Sequence, residues 1–152
     1  MYQVSDYRHY QDLGPVIADR VWHAWWKDAG LQLADVTHHL TEMVDSRPLP
    51  TALVAHDESG YLGSAFLIAS DLEERTQYTP WIAAVWVDAA NRKRGIGRSL
   101  VEEAAKTAAA LGHRISYIGC HRESEGFYTA FGWKVLERDV GPYGLSILSF
   151  ES

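Results

Sequence analysis

Trp81-Ile82-Ala83-Ala84-Val85-Trp86-Val87-Asp88-Ala89-Ala90-Asn91-Arg92-Lys93-Arg94-Gly95-Ile96-Gly97-Arg98-Ser99-Leu100 is the stretch around which the rest of the chain is organised. The apolar run Trp81–Val87 reads as a buried strand, and Asp88–Asn91 as a short polar turn. A helix follows and continues to Leu111, with Gly112 as its C-cap. Glycines at a helix start let a bound group come close to the backbone. The first N–H groups of a helix have no internal partner, and the helix dipole adds partial positive charge there. Such a terminus takes anions, phosphates above all. Arg92, Lys93, Arg94 and Arg98 add cationic charge at the same place. The segment Arg92, Lys93, Arg94, Gly95, Ile96, Gly97, Arg98 and Ser99 therefore reads as a pyrophosphate cradle.

Two common phosphate loops are absent. A Walker loop needs Gly, four residues, then Gly-Lys and Ser or Thr, and no stretch supplies it. A dinucleotide fingerprint needs a third glycine three residues after the second, where this chain has Leu100.

Composition sets the frame. The chain has 152 residues, enough for one domain with a real core, and is read as a single domain over 1–152. Its apolar fraction of 47% and charged fraction of 22% are those of an ordinary globular chain. A formal net charge of -6 argues against nucleic-acid binding, which depends on Lys and Arg neutralising phosphates. One cysteine, Cys120, excludes an intrachain disulfide and suits a reducing compartment. No apolar run is long enough for a bilayer, and the first residues lack the pattern of a signal peptide. The expectation is a cytoplasmic protein without a membrane partner.

Along the chain, Tyr2–Asp6 is a candidate first strand. Gln11–Trp26 has helical spacing through Leu13, Val16, Ile17, Val21, Trp22, Trp25 and Trp26, and Gly30 follows it. Trp22 and Trp26 share a face. The tryptophans read as core packing or as a wall of a pocket. Asp35 is placed as the cap of a second helix through about Met43. His38 and His39 are adjacent and point to different faces, unlike a metal pair at i, i+4; no metal site is expected. Pro48 and Pro50 punctuate a loop. Thr51–His56 and Tyr61–Ser70 form a hairpin, and an acidic connection (Asp71, Glu73, Glu74) leads to the central strand. After the cradle, Leu100, Ala104, Ala108 and Leu111 form an apolar stripe, with Glu102 and Lys106 as an i, i+4 pair. Ile115–Cys120 is a strand, and the strand–helix–strand crossover makes it the parallel neighbour of Trp81–Val87. Glu123–Ala130 is a short helix, followed by strands Trp133–Val140 and Leu145–Phe150.

Two motifs together give a resemblance. Arg92-x-x-Gly95-x-Gly97 is similar to the Arg/Gln-x-x-Gly-x-Gly/Ala signature of the GNAT acetyltransferase superfamily. Ser124-Glu125-Gly126-Phe127-Tyr128-Thr129-Ala130-Phe131-Gly132-Trp133 resembles its second signature, with Gly-Trp where Gly-Phe is usual. Their order and separation match, and so does the order of elements along nearly the whole chain. Within the superfamily the chain looks like a small bacterial branch.

The resemblance implies an α/β fold (α+β by some schemes). Its sheet is mixed and mostly antiparallel, with about six to seven strands, a central parallel pair and about four flanking helices. It implies an acetyl-CoA-dependent N-acetyltransferase, with acetyl-CoA as cosubstrate and a small-molecule amine or a peptide N-terminus as acceptor. Val85, Trp86 and Val87 are implied to hold the pantetheine arm through their backbone, and Arg92 through Ser99 to wrap the pyrophosphate. Tyr128 takes the place of the general acid that protonates the departing thiolate. Seven residues before that Tyr the family often has Asn; here stands His121, a candidate base, with Ser124 where a small Ala is usual. Asp71 and Glu74 are further candidate bases, and Asp71, Glu73 or Glu74 could draw in a cationic amine. Cys120 reads as an inert strand cysteine rather than an acyl carrier. The alternative reading is a non-catalytic acetyl-CoA or CoA sensor. A homodimer is the default assembly.

Overall fold

A computed structural model describes residues 1–45 and 48–152. Its elements are β1 (Gln3–Asp6), α1 (Gly14–Val21), a π-helical turn (Trp22–Trp26), α2 (Leu33–Asp45), β2 (Thr51–Asp57), β3 (Gly60–Ile68), β4 (Trp81–Val87), α3 (Ile96–Ala110), β5 (Ile115–Cys120), α4 (Glu125–Thr129), β6 (Lys134–Val140) and β7 (Leu145–Glu151). The strands form one sheet in the order β1-β2-β3-β4-β5-β7-β6. Every pairing is antiparallel except β4 with β5. The mixed sheet with its central parallel pair and four helices is the expected architecture.

Helices cover the two faces of the sheet, and two cores result. On one face, Ile96, Leu100, Val101, Ala104, Ala105 and Ala108 of α3 pack on Leu53, Leu62, Leu67 and Ile82 of the sheet. The small alanines let the helix lie close to the strands. On the other face, Ile17 and Val21 of α1 meet Val36, Leu40 and Met43 of α2 over Ala52, Val54 and Phe66. Farther along that second face, among the described residues, no helix covers β5 and β7. Leu72 and Tyr78 of the β3–β4 connection do so instead, packed with Trp81, Val140 and Ile147.

Several boundaries differ from the sequence reading for local physical reasons. The stretch Gln11–Trp26 is not one regular helix. It enters through a 3-10 turn, becomes α-helical at Gly14 with Pro15 in the first turn, and widens into the π turn at Trp22. The widening is marked by Lys27 N–H donating to the Trp22 carbonyl at 2.8 Å. Trp22 and Trp26 pack against the α1/α2 core, whereas Trp25 stays exposed. Helix α2 begins before Asp35, which lies in its first turn rather than at its cap. The Asp35 carboxylate accepts the Gln32 N–H at 2.8 Å while the Asp35 N–H donates to the Gln32 carbonyl at 3.0 Å. The apolar stripe of α3 does not include Leu111, which lies past the helix end and is exposed. Glu102 pairs one turn back with Arg98 (3.2 Å), not forward with Lys106.

The acidic β3–β4 connection is strapped to the far wing of the sheet. Arg75 reaches Glu137 of β6 at 2.7 Å, and the Tyr78 hydroxyl donates to the same carboxylate at 2.7 Å. Those hydrogen bonds hold the Glu137 carboxyl down at about 2, against an ordinary 4.5. Arg138 and Ser146 do the same for Glu125. A depressed folded-state pKa gives stability that is present above the unfolded value and lost as pH falls through the folded one. Melting temperature is therefore expected to fall between pH 4.5 and about 2. Glu137→Gln should melt lower than wild type at pH 7, and the gap should close over that window. A gap that persists unchanged at pH 2 would show that the strap does not titrate as described.

Candidate active site

The decisive feature is a split inside the sheet. β4 and β5 share one parallel register pair, Trp81 opposite Tyr117, backed by Tyr117 N–H donating to the Pro80 carbonyl at 3.1 Å. Beyond it the strands part. β5 continues against β7 to Cys120, and β4 continues against β3 to Val87. Among the described residues, the edge of β4 from Ala83 onward has no strand partner on the β5 side. A wedge with an unpaired strand edge on one wall results. Exposed backbone donors and acceptors of this kind take an extended ligand as an added strand.

A bulge shapes that edge. Ser64 pairs with Trp86 and Phe66 with Ala83, so Ala84 and Val85 stand opposite Ala65 alone. Ala84 has φ +53°, a left-handed conformation that a residue with a Cβ rarely adopts. Bulges turn backbone groups out of the ladder and recur beside active sites. The β3 backbone is close there: a Cβ on Gly63 would stand 2.6 Å from the Trp86 carbonyl oxygen. Only glycine fits.

The wedge leads to the start of α3. Gly95 caps that helix with φ +81°, and no side chain caps it. The first internal bond runs from Ser99 N–H to the Gly95 carbonyl at 3.0 Å. The amides ahead of it, through Gly97 and Arg98, are the unsatisfied donors of a helix N-terminus. A Cβ at Gly97 would lie 3.3 Å from Phe127 Cζ and 3.7 Å from Val87 Cγ2, so this turn is wedged between β4 and α4.

The cationic side chains around the turn have separate positions. Arg92 donates Nε–H to the Val87 carbonyl at 2.8 Å, with its guanidinium 4.7 Å from the Trp86 ring centre. Lys93 carries φ +64° in the loop, and Arg94 donates to the Asn91 side chain at 3.0 Å. Arg98 pairs with Glu102 and lies 5.2 Å over Phe131. Ile96 is buried in the core. The Ser99 hydroxyl is engaged by Tyr2 at 2.7 Å, which ties β1 to the cradle helix.

On the other wall, Tyr128 is 8% exposed among Phe127, Phe131 and Trp133. Burial pushes its phenol up to about 12, and neighbouring Cys120 adds to this. Its hydroxyl has no hydrogen-bond partner among the described residues. Cys120 is pushed up to about 11, mainly by burial and then by Glu125 and Glu123. It is a protonated, inert thiol at neutral pH. His121 is exposed immediately after β5, where its carbonyl accepts Ser124 N–H at 2.9 Å. Asp71 lies at the other rim, where the protein around it raises its carboxyl above the ordinary value. Its neighbour Leu72 reaches to 3.6 Å of where a Gly119 Cβ would be. Glu74 instead packs against Gly141 in the β6–β7 turn.

The structure thus brings Val85, Trp86, Val87 and the 92–99 turn to one end of the wedge and Tyr128 and Cys120 to the opposite wall. It places His121 and Asp71 outside, at the rim. The residues of 48–135 match the family model of the acetyltransferase (GNAT) domain.

The chain belongs to the GNAT acetyltransferase family.

Solved structures agree on the fold. An acetyltransferase from Streptococcus agalactiae superposes with a TM-score of 0.73 at 16% identity, over 99% of this chain and 98% of that one. An aminoglycoside 6'-N-acetyltransferase complexed with coenzyme A gives 0.75 at 17% identity, over 98% and 96%. A GNAT family acetyltransferase from Elizabethkingia anophelis with acetyl-CoA bound gives 0.56 at 18% identity, over 74% and 88%. At these identities the likeness concerns the fold alone. A search of curated protein sequences finds no match. Among the described residues, no helix of this GNAT chain is long and apolar enough to cross a membrane.

Two features of the site were not read from the sequence. The Ala84 bulge lies in a run with no glycine or proline to announce it. The approach of Trp25 to Trp86 joins residues from different elements.

Proposed function

We propose that this GNAT protein is an acetyl-CoA-dependent amine N-acetyltransferase that transfers the acetyl group directly, with both substrates bound. The observation that carries the reading is the wedge between β4 and β5, opening onto the uncapped start of α3. The Val85–Val87 backbone pairs with the pantetheine arm as an added strand. The amides of Gly95 to Arg98 receive the pyrophosphate, with Arg92, Lys93 and Arg94 supplying positive charge around it.

The bulge at Ala84 supplies N–H groups to the developing oxyanion, an effect worth about 3 kcal/mol per donor. A neutral amine attacks the thioester carbonyl and forms a C–N bond. The C–S bond then breaks, and the sulfur takes the Tyr128 proton, which solvent replaces. The ammonium proton leaves to the rim, where His121 and Asp71 are the available acceptors. The half-buried Cys120 thiol, pushed up to about 11, supports direct transfer over an acetyl-cysteine route.

Thiol release from acetyl-CoA, measured against a panel of amines and peptide N-termini beside a no-acceptor control, tests this reading. Acceptor-dependent release is expected. Thermal stabilisation by acetyl-CoA without release for any acceptor would favour the sensor reading. In the pH–rate profile, loss of the acidic limb in His121→Ala would assign the base to His121. An intact limb would leave Asp71.

A further inference from the structure

α3 closes the face of β4 toward which Val85 and Val87 point. A thioester in the wedge is therefore reached from the opposite face. There the wedge is bordered by the π turn on one side and by the β3–β4 connection on the other. On this face Trp86 stands two residues beyond Ala84, about 7 Å along the strand.

Trp86 is held in place. Its Nε1–H donates to Asp88 Oδ1 at 2.9 Å. The same carboxylate accepts Arg20 of α1 at 2.8 and 3.3 Å. This chain ties α1, and the π turn that follows it, to the end of β4. Trp25 stands against Trp86 at 6.2 Å between ring centres, at an interplanar angle of 86°. It is 42% exposed, whereas its neighbours Trp22 and Trp26 are half-buried against the core. The two indoles make a right-angled corner at the end of β4.

The charge around the corner limits what fits. Asp88 is taken up by Arg20 and Trp86, and Asp19 by Arg20 and His23. A guanidinium already lies on Trp86, that of Arg92. A second cation would meet Arg20 and Arg92, and the two carboxylates described at the corner, Asp19 and Asp88, are both already paired. A flat, uncharged group can stack on one indole and meet the edge of the other.

We propose that Trp25 and Trp86 form the wall that selects the acceptor, a primary amine joined by a short alkyl linker to a flat aromatic ring. The proposal rests on the acetyltransferase reading above. Its test is steady-state thiol release with 2-phenylethylamine and tryptamine against ethanolamine and spermidine, together with tryptophan-fluorescence titration of each amine into the protein saturated with CoA.

The arylalkylamines are expected to have a KM at least 10-fold below that of ethanolamine. Trp25→Ala is expected to raise that KM about 10-fold, with the effect in KM rather than kcat, and Trp25→Phe should restore most of it. Preference for spermidine, equal KM in wild type and Trp25→Ala, or no binding of either arylalkylamine would overturn the proposal. Acetyl-CoA-induced thermal stabilisation, measured alongside, separates the two failures. Stabilisation together with thiol release for another amine leaves the acetyltransferase reading standing, stabilisation without release for any amine favours the sensor reading, and absence of stabilisation removes both.

Discussion

Tyr128→Phe is expected to lower kcat about 10²-fold, with acetyl-CoA affinity and melting temperature nearly unchanged. The hydroxyl has no hydrogen-bond partner among the described residues, so its loss leaves no orphaned group behind. The ring keeps its contacts with Phe127, Phe131 and Trp133.

The chemical argument turns on two groups in one environment. Tyr128 lies at about 12 and so keeps its proton at neutral pH. An exposed thiol lies near 8.5, and a phenol at 12 would be a poor acid toward it. Cys120, however, shows what this surrounding does to a thiol, since burial and nearby carboxylates lift it to about 11. In the proposed binding mode a CoA thiolate leaving beside Tyr128 should be raised in the same direction, which narrows the mismatch between donor and acceptor. Single-turnover kinetics check this. An unchanged kcat in Tyr128→Phe removes the phenol from the mechanism.

Gly97→Asp is expected to weaken acetyl-CoA binding by about 100-fold or more while leaving the fold intact. A carboxylate in the first turn of a helix is favourable, by about 0.3–1 kcal/mol. The new Cβ meets only the ends of Phe127 and Val87, at 3.3 and 3.7 Å. The same carboxylate fills the amide donors intended for the pyrophosphate and repels its charge. Thermal stability should therefore hold or rise while affinity collapses, which a general folding defect cannot produce. Gly97→Ala, with the same Cβ and no charge, is the control. Thermal melting and calorimetric titration read both. Equal weakening in the two variants would mean that crowding, not charge, is responsible.

Much of this frame was legible in the residues. Strand Trp81–Val87 and the glycines after it mark the cradle because local chemistry sets both ends. The crossover from β4 through α3 makes β5 a parallel neighbour, as the handedness of such units requires. Other parts depend on partners far along the chain. Ala84 bulges where the register between β3 and β4 shifts, which an apolar heptapeptide does not announce. The acidic connection read only as a link to the central strand, yet Arg75 and Tyr78 lie on Glu137, some sixty residues away. The tryptophans had helical spacing, but the π turn decides that Trp25 alone stands out toward Trp86. Asp35 had the residue type of a cap, while Gln32 lies where the chain enters the helix and Asp35 closes it from inside.

Amide hydrogen exchange with and without acetyl-CoA tests the central claim most directly. New protection is predicted along residues 83–87, where the β4 edge lacks a strand partner, and along residues 94–98 at the start of α3. The edges of β1 and β6 should exchange as before. Acetyl-CoA that binds without protecting either segment would contradict the assignment of the wedge as its site.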